Sequence, residues 1–175
     1  MSGFSLVCPT KEYEKKAFEY IKEFREHESE VHGTGGLDNY DNYDEWLQKL
    51  QKAKALPTTD EEKVPADTYF FIRESDDKII GMLNIRHRLN EFLFNEGGHI
   101  GYSVRPVERK KGYGTLMLSM GLQKCRELNL DRVLIICDKV NEASAKVAQN
   151  NNGVLEKEVY SELCSQIIQR YWISL

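Results

Sequence analysis

GGHIGYSVRPVERKKGYGTLML, residues 97–118, is the stretch that decides how this chain folds. A strand pattern runs from His99 to Val104 and stops at Arg105-Pro106, because proline has no N–H to continue a ladder. Arg109-Lys110-Lys111-Gly112-Tyr113-Gly114 then opens a helix with an apolar face of Leu118, Gly121, Leu122 and Cys125, spaced i, i+3, i+4, i+7. The start of a helix leaves N–H groups unpaired and carries a partial positive charge. Glycine lets those groups approach a ligand closely, and three cationic side chains stand directly before them. This is the pattern of a pyrophosphate cradle. The alternative reading is an ordinary βα turn with a solvated basic loop.

Two commoner phosphate-binding patterns are absent. G-x-G-x-x-G fails because Met117 stands in the third glycine's place, and no G-x-x-x-x-G-K-[ST] occurs. A net charge of −4 argues against a general nucleic-acid binder, so the basic residues near Arg109 form a local feature suited to one anion. No apolar run approaches the ~20 residues that span a bilayer. Residues 1–8 lack the basic start and long apolar centre of a signal peptide. Cys8, Cys125, Cys137 and Cys164 are scattered and read as reduced thiols. The expected location is therefore cytoplasmic, with no membrane partner. His27 and His32 frame HESEVH, one residue too long for H-E-x-x-H, and no metal site is expected.

Working outward, Phe4–Val7 reads as a first strand. Lys11 to Glu28 reads as a helix with the stripe Tyr13, Ala17, Tyr20, Ile21 and Phe24. An acidic, tyrosine-bearing loop, residues 38–44, leads to a second helix for which Asp44 is the expected N-cap. Leu56 to Pro65 is a polar surface connection. Asp67–Arg73 and Lys78–Arg86 form a hairpin about Asp76-Asp77. Val133–Cys137 is an apolar strand, a short helix follows Asn141, and two strands close the chain near 154–160 and 167–173. The expectation is one domain over residues 1–175. Its α/β (α+β) architecture is a mixed, mostly antiparallel sheet in which the strand before the loop and Val133–Cys137 run parallel, with helices on both faces.

With its flanks, the quoted stretch resembles motif A of the GNAT superfamily of acetyl-CoA-dependent N-acetyltransferases. Arg109-x-x-Gly112-x-Gly114 matches that family's [RQ]-x-x-G-x-[GA], and Val133–Cys137, Asn141-x-x-Ser144 and Gly153-Val154 follow in the family's order. The resemblance implies a splay between the two parallel strands that receives the pantetheine arm of acetyl-CoA. Main-chain groups of Ser103, Val104 and Arg105 would line that splay. Arg109, Lys110, Lys111, Gly112, Tyr113, Gly114 and Thr115 would hold the pyrophosphate, with Asn141 and Ser144 near the arm. For Asn141, an N-cap role is the equal alternative.

The resemblance further implies direct attack by an amine, from a small molecule or a peptide, in a ternary complex. His99 stands where several family members carry a catalytic glutamate and is the candidate base. The alternative is a strand histidine bonded to its neighbours. Ala148 stands where many relatives place an acid tyrosine, which leaves Tyr160 or Tyr102 for that role. Asp38, Asp41, Asp44 and Glu45 are expected near the acceptor, or else as solvated helix caps. The family allows a homodimer. A non-catalytic CoA-binding sensor or partner-binding module on the same fold is the competing function.

Overall fold

Alternation along the strands explains how the molecule is layered. In the computed structural model, which describes residues 3–57 and 62–175, β1 (Phe4–Val7), β2 (Ala66–Arg73), β3 (Lys78–Arg86) and β4 (Ile100–Val104) pair in sequence order as an antiparallel meander. On β2, Phe70 and Ile72 face one side and Phe71 the other. The first side is covered by α1 (Glu14–Glu26) and α2 (Tyr43–Lys54), which bury Tyr20, Phe24 and Trp46 there. α3 (Tyr113–Glu127) and α4 (Glu142–Asn150) cover the second side, with Met117, Leu118 and Ala148 against Leu83 and Ile85. Each large apolar side chain so buried contributes about 1.5–3 kcal/mol, which sets the register firmly.

A second sheet holds β5 (Arg132–Asp138), β6 (Val154–Ser161) and β7 (Gln166–Ser174) in the order β5-β7-β6, also antiparallel. The parallel ladder expected between β4 and β5 is not formed. The His99 N–H donates to Leu134 O at 2.8 Å, and the Leu134 N–H donates to the His99 ring nitrogen Nδ1 at 2.9 Å. An imidazole thus stands where a ladder would need a second strand carbonyl. Beyond this clasp the strands belong to separate sheets, and every ladder among the described residues is antiparallel.

Two smaller expectations are also corrected. Asn42, not Asp44, caps α2: its Oδ1 accepts from the N–H groups of Asp44 and Glu45, while the Asp44 carboxylate pairs with Lys11 at 2.8 Å. The first helix proper begins at Glu14, after a 3-10 turn over Lys11–Tyr13. The expected connection Leu56–Pro65 falls partly on residues 58–61, outside the described residues.

Candidate active site

Gly112 N-caps α3 with φ +80°, a conformation that disfavours side chains. A Cβ placed there would meet no atom within 4 Å, so the space in front of the helix start is open. The first intrahelical bond of this turn runs from Leu116 N–H to Gly112 O. The N–H groups of Tyr113, Gly114 and Thr115 precede it, and no side chain caps them. This arrangement fits a pyrophosphate: several donors, a positive helix end and an unobstructed approach. Gly114 is confined instead, since a Cβ there would lie 3.1 Å from Val147 and 3.6 Å from Val104.

The three cations before the glycine divide by what they already bind. The Arg109 Nε donates to Val104 O at 3.1 Å, its Nη2 to Ser29 Oγ at 2.8 Å, and its guanidinium lies over the Phe24 ring. Lys111 donates to Glu108 at 2.8 Å. Glu108 is buried and also meets Arg73 at 3.2 Å and Lys78 at 3.5 Å. Burial alone would raise its pKa, but Lys111 and Arg73 outweigh that and hold it at about 2. Lys110, exposed at φ +63°, is the cation of the three without such a tether. The charge that reaches a ligand is thus largely main-chain, with Lys110 added.

Beside the loop, the outer edge of β4 faces the gap between the sheets. The Arg105 N–H bonds to Ile80 O at 2.8 Å, which fixes the register of β4 on β3. In an antiparallel pair the main-chain groups alternate sides, so Arg105 and Ser103 turn theirs to β3 while Val104 and Tyr102 turn theirs to the gap. The Val104 carbonyl is taken by Arg109, and its N–H remains on that edge with the N–H of Tyr102. Of the three residues expected to line a splay, Val104 alone turns its backbone groups away from β3. Tyr20 donates its hydroxyl to Ser103 O, and Ser103 Oγ donates to His32 O at 2.5 Å. The buried Arg105 side chain bonds Ile79 O at 2.8 Å and Glu23 at 2.6 Å.

Across the gap, Asn141 caps α4 by accepting from Ser144 N–H at 3.1 Å. Ser144 Oγ meets the Tyr102 hydroxyl at 2.9 Å, so Tyr102 ties β4 to the start of α4. Asn150 and Asn151 reach Thr115 from the other end of α4. The connection between α1 and α2 closes the remaining side. A Cβ on Gly33, at φ +73°, would lie 2.4 Å from Gly101 O, so only glycine permits this approach to β4.

The two residues expected to carry catalysis lie elsewhere. His99 is buried at the clasp, at the opposite end of β4 from Val104. Its Nδ1 lone pair is already engaged by Leu134, which places the neutral ring's proton on Nε2 and leaves no basic nitrogen free. Burial, with Arg86 and Arg132 nearby, lowers its pKa to about 4. Tyr160 sits on β6, and β7 stands between it and β5. Two strand spacings of about 4.8 Å each therefore separate it from the gap. Of the acidic run, Asp38 accepts from Thr34 and Asp44 holds Lys11, both as loop supports.

Sequence reasoning missed Glu108 and Ser29 as parts of this site, and it offered Tyr102 as an acid rather than as the strut to Ser144. Glu108 carried a signal, a lone carboxylate inside a basic loop. Ser29 carried none, because its partner Arg109 is far along the chain. Two surface concavities lie outside the cradle, one of about 570 Å³ between α4 and β7 and one of about 350 Å³ near His99. The cradle itself is an open helix start.

Helices layered on two antiparallel sheets, with an uncapped glycine helix start beside β4, define an α/β protein with an open cradle. The family model described as acetyltransferase (GNAT) domain matches residues 11–153, and the chain belongs to the GNAT acetyltransferases. These are acyltransferases that use acetyl-CoA. Among solved structures, the ribosomal-protein-S5-alanine acetyltransferase of Vibrio fischeri superposes with a TM-score of 0.71 at 19% identity, over 99% of this chain and 94% of that one. The acetyltransferase of Salmonella typhimurium that modifies the N-terminal serine of ribosomal protein L7/L12 gives 0.70 at 16% identity, over 100% and 96%. Mutant forms of the spermidine/spermine N-acetyltransferase SpeG of Vibrio cholerae give 0.67 at 13%, over 99% and 95%. At these identities the likeness is one of fold. No curated protein matches the chain. Among the described residues, no helix is long and apolar enough to cross a membrane.

Proposed function

We propose that the chain transfers the acetyl group of acetyl-CoA to a primary amine, on a small molecule or a peptide, by direct attack in a ternary complex. The observation that carries this reading is the open, uncapped start of α3 beside the gap that Val104 faces. The N–H groups of Tyr113, Gly114 and Thr115, with Lys110, hold the pyrophosphate. The gap between β4 and β5 takes the pantetheine arm, and the Val104 N–H is the donor for the acyl oxygen. Acetyl-CoA supplies an activated thioester when bound. Asn141 and Ser144 shape the far wall through Tyr102 rather than touching the carrier, and Arg109 and Lys111 brace the loop.

No side-chain base is assigned, because the free energy does not demand one. Removing a proton from a lysine-like ammonium at neutral pH costs about 4.6 kcal/mol. Holding two reactants in attack geometry contributes about 7–11 kcal/mol, so a solvent-borne base suffices. The thiol released has an ordinary pKa near 8.5 and needs little help to leave. The named structural neighbours act on alanine of ribosomal protein S5, on the N-terminal serine of L7/L12 and on spermidine/spermine, which supports an amine acceptor. Calorimetry with acetyl-CoA followed by thiol release across an amine panel tests the proposal. Binding without release for any amine makes the chain a CoA sensor, and absence of binding removes both readings.

A further inference from the structure

We propose that the pocket of about 350 Å³ near His99 is a second ligand site, built for a small aromatic carboxylate. It lies at the clasped end of β4, away from the cradle, and nothing in the acetyl-transfer reading uses it. Arg88, Phe94, His99, Asp131, Arg132 and Trp172 line it, brought together by the end of β3 and the starts of β4 and β5 against β7.

The polar wall consists mainly of donors. The Arg132 guanidinium lies 4.2 Å from the Trp172 ring centroid and forms no ion pair among the described residues. Arg88 spends one Nη2 donor on Lys63 O, and its Nε is buried without an acceptor. With Nδ1 of His99 accepting from Leu134, the ring's remaining nitrogen is a donor as well. His87 also borders the pocket, but its Nε2 is already bonded to Asp67 at 2.8 Å. Asp131 is the wall's one carboxylate, and it pairs with none of these groups. Burial is the main reason the His99 pKa is lowered, and Arg86 and Arg132 add to it, so an anion entering here meets positive charge already present.

The apolar wall fixes the ligand's shape. The Arg132 guanidinium lies over the Trp172 ring, and a guanidinium can meet a carboxylate in two parallel bonds. Trp172 and Phe94, with Leu89 and Leu130, give the pocket an apolar side against which a flat ring can pack, although Arg170 already lies over the Phe94 ring. The volume is at the lower end of the range of small-molecule sites, enough for a benzoate-sized ligand. A bare phosphate would satisfy the donors and leave the rings unused.

Benzoate titrated into the full chain, followed by the indole N–H resonances, tests this. Trp46 and Trp172 are the two tryptophans, and Trp46 is buried in the other core, bonded to Thr34 O. The expected result is a saturable shift of Trp172 with Trp46 unmoved, and none with benzylamine. Arg132→Gln should weaken benzoate by about tenfold or more, as loss of a charge-assisted pair does, while acetyl-CoA affinity stays unchanged. That unchanged affinity also shows the variant folded. The site is overturned by no benzoate response, by equal affinity in Arg132→Gln, or by inorganic phosphate shifting Trp172 as strongly as benzoate.

Discussion

The two ends of β4 behave in opposite ways. At the start, the backbone and ring of His99 both bond Leu134, and the interior is sealed. At the end, the Val104 N–H faces a gap, and one turn further on α3 begins with donors that nothing caps. The end we propose for acetyl-CoA is the one where the protein withholds partners from its own backbone. The end with the more reactive side chain is the closed one, because that side chain is consumed in holding the two sheets together. Titratable character marked His99 as chemical, and its hydrogen bonds make it structural.

Gly112→Asp should do most damage to the open end. An aspartate there adds a negative charge in front of the pyrophosphate donors, and acetyl-CoA affinity measured by calorimetry should fall by about a hundredfold or more. Gly112→Ala separates charge from strain. Its Cβ meets nothing, so the cost is the positive φ, about 1–2 kcal/mol of stability, with a much smaller loss of binding. If Gly112→Asp folds and binds normally, the open end is not the cradle.

A change at His99 should cost stability rather than acetyl-CoA affinity. His99→Phe leaves the Leu134 N–H buried without an acceptor, which costs about 1–3 kcal/mol in denaturant melts. The pH dependence sharpens this. The folded pKa is about 4 and an unfolded histidine titrates near 6.5, so between those values the unfolded chain binds a proton the folded chain refuses. Stability therefore falls as pH drops from about 6.5 to 4, by about 3 kcal/mol in all. His99→Gln, which keeps an acceptor but cannot titrate, should flatten that fall. A pH–rate profile that loses its acid limb in His99→Gln without any change in stability would return His99 to catalysis.

Why the sequence displayed one end and concealed the other follows from the range of the contacts. The cradle is local: Arg109-x-x-Gly112-x-Gly114 carries its turn, its glycine and its helix start within six residues. The strands and helices were legible for the same reason, since Phe70-Phe71-Ile72 and the Tyr20–Phe24 stripe repeat at short periods. The clasp joins His99 to Leu134, the Arg105 ion pair reaches back to Glu23, and the missing parallel ladder depends on both sheets at once. No local period encodes those. Even within the cradle, the division of labour among three adjacent cations needed Glu108 and Ser29 in space.

That division predicts a smaller difference inside the loop. Lys110→Gln removes the untethered cation and should weaken acetyl-CoA about threefold to fivefold, less so at high salt, where surface charge is screened. Lys111→Gln should have less effect, because Glu108 keeps Arg73 and Lys78 as partners and the loop remains braced. Equal losses in the two variants would mean that Lys111 leaves Glu108 when the anion binds.

Tyr160→Phe should change least. Tyr160 is 55% exposed on the far strand of the second sheet, with β7 between it and β5. Thiol release should stay within about twofold of the parent at every pH, since the leaving thiol has a pKa near 8.5. A tenfold fall confined to pH values where a tyrosine would be protonated would make this strand part of the working end. The contrast along β4 would then have to be redrawn across the whole second sheet, with β6 folded toward the gap during turnover.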